Sequence, residues 1–114
     1  MATYKQGDIV VVNFPFTDMT QTKKRPALII SNQQVNQTGD YLLVQLTSQV
    51  KNDTLSLSIL PTDYAFRPLP LDSYVRLHKI FLLNESLILH KASAVNIPFF
   101  NNLIVAILKL IQRV

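Results

Sequence analysis

Arg25 is the side chain in this sequence best placed to meet an anion. It follows Lys23 and Lys24 and precedes Pro26, after which Ala27-Leu28-Ile29-Ile30 form an apolar run short enough for a central strand. Proline fixes its own φ and drives the preceding residue out of the helical region. Arg25 is therefore expected extended, at the first pairing position of a strand, as a positioned charge. Thr47 and Ser48 stand at the end of another apolar run, Tyr41 to Leu46. In an antiparallel pair the start of one strand and the end of its neighbour share an edge. If these two strands pair, a guanidinium and two hydroxyls converge. Guanidinium donors grip phosphoryl oxygens in pairs, and a hydroxyl adds a donor or a relay, a set that suits a pentacoordinate phosphate. The competing reading pairs Arg25 with Asp18 and lets Thr47-Ser48 cap a turn. Spacing alone favours that structural role.

His78 is the other candidate for proton transfer near neutral pH. Arg76, two residues earlier, would share its strand face and hold a phosphate beside it. A lone strand histidine is more often an ordinary half-buried polar residue. His90, with Lys91 its one charged neighbour in sequence, reads as surface. Lys23, Lys24, Lys51 and Lys79 could follow a nucleic-acid backbone, or simply solubilise the chain. Tyr41, Tyr64 and Phe66 could stack on bases, but core or rim packing is the more usual role for any one of them.

The elements that must position these groups follow from pattern. Ile9 to Phe14 reads as a strand buried on both faces, and the polar loop after Pro15 carries Thr17, Asp18, Thr20 and Thr22. Arg25–Ser31 and Tyr41–Leu46 are the next strands, separated by a polar turn ending in Asn-Gln-Thr-Gly-Asp. Leu55 to Leu60 and Tyr74 to Phe81 alternate apolar and polar, as half-exposed strands do. Between them Pro61, Pro68 and Pro70 predict an irregular connection covering one end of the fold. A short last strand is expected at Ser86–Leu89, then a linker to about Asn96. From Ile97 to Val114 the pattern is helical, with Phe100, Leu103, Ile107, Leu110 and Val114 on one stripe. Its apolar arc is wider than one core contact needs, which fits either a subunit partner or a helix sunk in its own core. Five or so short strands and one terminal helix predict a mainly β fold, an SH3-like antiparallel barrel with a C-terminal α-helix.

The totals set bounds. A chain of 114 residues is expected to form one domain, and 48% hydrophobic with only 16% charged residues suits a chain that hides apolar surface in an oligomer. The absence of cysteine removes disulfides and thiolate metal sites. With two glycines there is no glycine-rich phosphate cradle, and no metal motif is present. No signal-like h-region or long apolar span is seen, so the expected compartment is the cytoplasm, without membrane association. A formal charge of +4 permits a nucleic-acid partner without requiring one.

Three segments together resemble one family. Gly7-Asp8-Ile9-Val10, a threonine-bearing loop and Lys24-Arg25-Pro26-Ala27-Leu28-Ile29-Ile30-Ser31 look like the opening of the MazF/PemK (Kid) growth-inhibitor toxins. Leu46-Thr47-Ser48-Gln49 is similar to the family's second motif. Ser73-Tyr74-Val75-Arg76-Leu77-His78-Lys79-Ile80 lies where its third block falls, and the terminal helix fits. The resemblance spans nearly the whole chain. It implies a toxin of a toxin–antitoxin pair, a homodimer that holds single-stranded RNA in a groove across its interface and is neutralised by a cognate antitoxin. It also implies a sequence-selective endoribonuclease that needs no metal or other cofactor, leaving 2′,3′-cyclic phosphate and 5′-hydroxyl ends.

Carried over by motif, Arg25 would stabilise the transition state, and Thr47 would act as base or phosphate contact, with Ser48 beside it. Lys23, Lys24, Gln49, Arg76 and Lys79 would contact RNA. The sequence departs from the family twice. Many members carry a Gly-Ser/His-Glu-Gln segment in the first loop, where this chain has Asp18-Met19-Thr20-Gln21-Thr22. One branch uses an Arg and an Asp two apart on the later strand; Arg76 matches the Arg, but His78 replaces the Asp and could serve as acid or base. The alternative in a different class is a catalytically weak or inactive module of the same fold, acting on a protein target or holding RNA without cutting it.

Overall fold

Gly7 opens the first strand with φ at +90°, a conformation that residues with a Cβ rarely adopt. There its N–H donates to the Ile29 carbonyl at 2.9 Å and its carbonyl accepts from Val95 N at 2.9 Å, so the chain enters the sheet already tied to strands on both sides. The computed structural model describes residues 2–15 and 22–114. It contains β1 (Asp8–Pro15), β2 (Thr22–Ile29), a short helix α1 (Gln33–Asn36), β3 (Asp40–Thr47), β4 (Ser56–Ile59), β5 (Ser73–Asn84), β6 (Ile88–Ala94) and α2 (Ile97–Ile111). Of the loop expected from Phe16 to Lys24, Phe16 to Gln21, with Asp18 and the pairing to Arg25 weighed for it, lie outside the described residues, while Thr22 to Lys24 begin β2 instead of ending a loop.

The strands form one antiparallel sheet in the order β4-β5-β3-β2-β1-β6. The mainly β class and the terminal helix are as expected. The sheet itself is barrel-like without closing: among the described residues no ladder joins β4 to β6. The segment after β4 spans that gap, with an isolated bridge from Tyr64 to Val95, Ala65 N donating to Ala94 O at 2.8 Å, and Asn96 N donating to Asp63 O at 2.8 Å.

Period-2 alternation divides the interior into two cores. Ile9, Leu28, Val44, Leu46 and Val75 pack with Phe99, Leu103 and Ile107 of α2. Val10, Val12, Ala27, Ile29, Tyr41 and Leu43 pack on the opposite face. β1 and β2 are thus buried on both sides, which explains their nearly unbroken apolar runs.

Two expectations change. The last strand runs through Ala94 instead of stopping at Leu89. Register shifts on either side of Val10-Val11 break its alternation and put the polar His90 and Lys91 in the ladder, so its pattern looks like a linker. The buried stripe of α2 is Phe99, Leu103 and Ile107, while Phe100 is only partly buried. Leu110 and Val114 are exposed, because the helix ends at Ile111 after passing off the core. Asn96 caps its start, accepting from Phe99 N at 2.9 Å, and Pro98 sits in the first turn, where its missing N–H costs nothing.

Candidate active site

β2 and β3 pair only through Ala27–Gln45, Leu28–Val44 and Ile29–Leu43. Pro26 has no N–H with which to continue the ladder, and there the two strands part. β1 continues to pair with β2 past this point, with Val12 opposite Arg25 and Val11 opposite Pro26. Arg25 is thus the fourth residue of its strand, not its first pairing position; what begins beside it is the opening between β2 and β3. Extending the β2–β3 register by two residues sets Arg25 opposite Thr47. Directly opposed residues share a face. The guanidinium and the hydroxyl therefore lie on the same side of the opening, and both line the clefts there.

Two clefts flank this pair, and Lys23, Arg25, Thr47 and Gln49 line both. One, of about 530 Å³, has Lys24 and Ser48 at its polar side and is walled by Val11, Leu46, Leu69, Pro70, Leu71 and Ala92. The other, of about 310 Å³, adds Gln45, Lys51, Arg76 and Lys79. The first suits an unstacked base beside a phosphate; the second is a cationic trough. Among the described residues no carboxylate pairs with Lys23, Arg25, Lys51 or Lys79.

The polar groups are individually held. Thr47 Oγ1 accepts from Gln49 N at 3.1 Å, the turn-capping role anticipated for it, and its own O–H can still donate. Lys51 Nζ donates to Gln49 Oε1 at 3.0 Å. Arg76 is buried, and its Nη1 and Nη2 donate to the two carboxylate oxygens of Asp53, each at 3.0 Å. Nη1 also donates to Ser56 Oγ at 2.7 Å. The Arg76 guanidinium bonds hold Asp53 down to about 2, helped by the Leu55 N–H. The same ion pair raises Arg76.

Of the residues expected to act, Lys23, Lys24, Arg25, Thr47, Ser48 and Gln49 converge on the larger cleft, and Arg76 and Lys79 line the trough. His78 is exposed and lines neither cleft. The β3–β5 register shifts between Val44 and Leu46, the stretch that faces Arg76 to Lys79, so strict alternation breaks there, with Arg76 buried and His78 exposed but near enough to Asp53 to help lower its carboxyl. Tyr41 and Tyr64 are core residues, which removes them as stacking platforms. Phe66 is exposed, with Lys91 Nζ 5.5 Å from its ring centre. Asp53 and Ser56 were not apparent as site residues, since nothing in a loop's composition says which strand it folds back on. The Leu69-Pro70-Leu71 wall was visible only as a proline-rich cover.

The sequence profile of the PemK-like, MazF-like toxins of type II toxin–antitoxin systems matches residues 5–111. This chain belongs to that family. No curated protein matches the sequence. Among solved structures, a MazE–MazF structure from Deinococcus radiodurans (Form-II) aligns with a TM-score of 0.77 at 19% identity, covering 96% of each chain. An endoribonuclease from a mycobacterial species gives 0.74 at 22%, covering 96% of this chain and 91% of the other. An endoribonuclease in complex with its cognate antitoxin, also mycobacterial, gives 0.72 at 21%, covering 97% and 100%. At such identities the likeness is one of fold. It shows that the six strands and terminal helix of this MazF-like chain follow the course of the family's solved members.

Proposed function

We propose that this MazF-like toxin is a metal-independent, sequence-selective endoribonuclease whose reacting phosphate sits between Arg25 and Thr47. The observation that carries the reading is that Arg25 and Thr47 both line the two clefts where β2 and β3 part, in a chain whose family includes toxins solved as endoribonucleases. In the reaction the ribose 2′-oxygen bonds to the adjacent phosphorus, and the bond from phosphorus to the 5′-oxygen breaks. The 2′-hydroxyl loses a proton and the departing 5′-oxygen gains one. The products are a 2′,3′-cyclic phosphate and a 5′-hydroxyl.

Arg25 stabilises the extra charge of the phosphorane with paired N–H donors and can hand a proton to the leaving oxygen. Thr47 donates its hydroxyl to a phosphoryl oxygen, with Ser48 beside it. Lys23, Lys24, Gln49 and Lys79 take the flanking backbone, and the apolar wall takes a base. His78, which lines neither cleft, is assigned a secondary part in proton transfer. The working assembly is a cytoplasmic homodimer neutralised by a cognate antitoxin, as the antitoxin complexes among the similar structures support.

The test is incubation of purified, antitoxin-free protein with a long RNA in EDTA. Discrete fragments with 5′-hydroxyl ends, absent with Arg25→Ala, are expected. Intact RNA with folded protein would leave a non-cutting binding module as the surviving reading.

A further inference from the structure

We propose that Asp53 is a positioning residue: with Ser56 it holds one side of the Arg76 guanidinium so that the other side faces the cationic trough and takes a phosphate of bound RNA. This rests on the RNA reading above and adds to it the device that aims one contact. A guanidinium offers five N–H donors in a rigid fork. Both hydrogens of Nη1 are used, one by Asp53 and one by Ser56, and Nη2 gives one to Asp53. The second Nη2 hydrogen and the Nε hydrogen have no partner among the described residues. Those two lie side by side on one edge of the fork, the arrangement that matches two phosphate oxygens.

Arg76 lines the trough with Lys51 and Lys79 while its side chain is only 8% exposed. A guanidinium so enclosed has few orientations left. Asp53, at 38% exposure on the β3–β4 loop, fixes which one is kept. Its carboxyl is held down to about 2 by the guanidinium, so it stays ionised at neutral pH as the counter-ion of Arg76 and is a weak base there. In this chain the carboxylate that meets Arg76 comes from a neighbouring loop, and the residue two further along the strand is His78.

The sign of the effect separates positioning from bulk charge. Asp53 is an anion at the rim of a trough for anions. If only net charge mattered, Asp53→Asn would bind RNA more tightly. Positioning predicts the reverse, because Arg76 is released from its orientation.

The experiment measures the affinity of the purified full-length chain and its variants for a labelled single-stranded RNA across a salt series. A 2′-deoxy substitution at a mapped cut prevents cleavage; if no cut is found, a mixed-sequence RNA serves unchanged. We expect Asp53→Asn to weaken binding about tenfold, the scale of a charge-assisted hydrogen bond pair. Ser56→Ala, a milder change that keeps the test open if Asp53→Asn folds poorly, weakens it less. Arg76→Ala lowers the slope of log affinity against log salt by about 0.7, one single-strand phosphate contact. In that background Asp53→Asn causes no further loss, whereas a general structural defect would add to it.

Unchanged or tighter binding by Asp53→Asn, with wild type binding RNA, overturns this inference and leaves the RNA reading standing. Failure of the wild type to bind RNA overturns both.

Discussion

At the scale of single residues, the account places the chemistry on Arg25 and Thr47 and predicts a ranking. Arg25→Ala should lower the cleavage rate by roughly two to three orders of magnitude, the cost of removing one aimed donor from a developing oxyanion. Arg25→Lys should recover little, since a point charge does not reproduce the fork. Thr47→Ala should cost less than Arg25→Ala, and His78→Ala only a few-fold; single-turnover rates on one oligonucleotide check all four. The convergence of Arg25 and Thr47 was legible because strand edges obey simple register rules and Pro26 marks where the ladder must stop. The burial of Arg76 with His78 left exposed was not, because it depends on a register shift between β3 and β5 that leaves no mark in the alternation of β5. Asp53 was equally hidden: its bond to Arg76 spans 23 residues and exists only once the β3–β4 loop has folded back.

At the scale of elements, two ties hold the site's walls. The Asp53–Arg76 pair fastens the β3–β4 loop to β5. The Leu69-Pro70-Leu71 wall belongs to a segment fastened to β6, where Ser93 Oγ donates to Arg67 O at 2.5 Å and Lys91 Nζ lies 5.5 Å from the Phe66 ring centre. The first tie has a pH signature. Asp53 titrates at about 2 in the folded chain, below its ordinary value of 3.8. A lowered folded value means the stabilisation is complete above the unfolded value and is lost as pH falls through the folded one. The thermal midpoint of wild type should therefore exceed that of Asp53→Asn near neutral pH, and the gap should narrow as the pH falls from about 4 towards about 2. A gap independent of pH would contradict this. Helix α2 supplies the cover of one core, and Leu103 within it is fully buried. Leu103→Ala should cost about 2–5 kcal/mol, read from denaturant unfolding. That a helix would close the chain was plain from its apolar spacing; which stripe faces inward was displaced by one residue at its start, from Phe100 to Phe99, because neighbouring apolar positions make several stripes nearly equivalent.

At the scale of the whole molecule, α2 leaves Val105, Leu108, Leu110 and Ile111 exposed, and Leu42 and Leu82 form an exposed cross-strand pair on the sheet. Apolar surface of this kind, on a chain with few charges, supports the proposed homodimer. Light scattering at micromolar concentration should give twice the chain mass, and Leu108→Glu should shift it towards the monomer. A monomeric wild type would contradict the proposal. The low charge fraction and the surplus of apolar helix positions are what the sequence itself offers in support of that proposal. The RNA sequence that the proposed reaction would select is not legible there, because the larger cleft takes its shape from five separate segments of the chain.

The central claim is transesterification at the phosphate between Arg25 and Thr47. Its most direct test is single-turnover cleavage, in EDTA, of a matched pair of oligonucleotides that differ by one 2′-hydroxyl at the cut nucleotide. The account predicts that wild type cuts the ribose substrate to a cyclic phosphate and a 5′-hydroxyl, leaves the 2′-deoxy substrate intact, and loses nearly all cutting in Arg25→Ala. Cleavage of the 2′-deoxy substrate, or equal rates for wild type and Arg25→Ala, would contradict it.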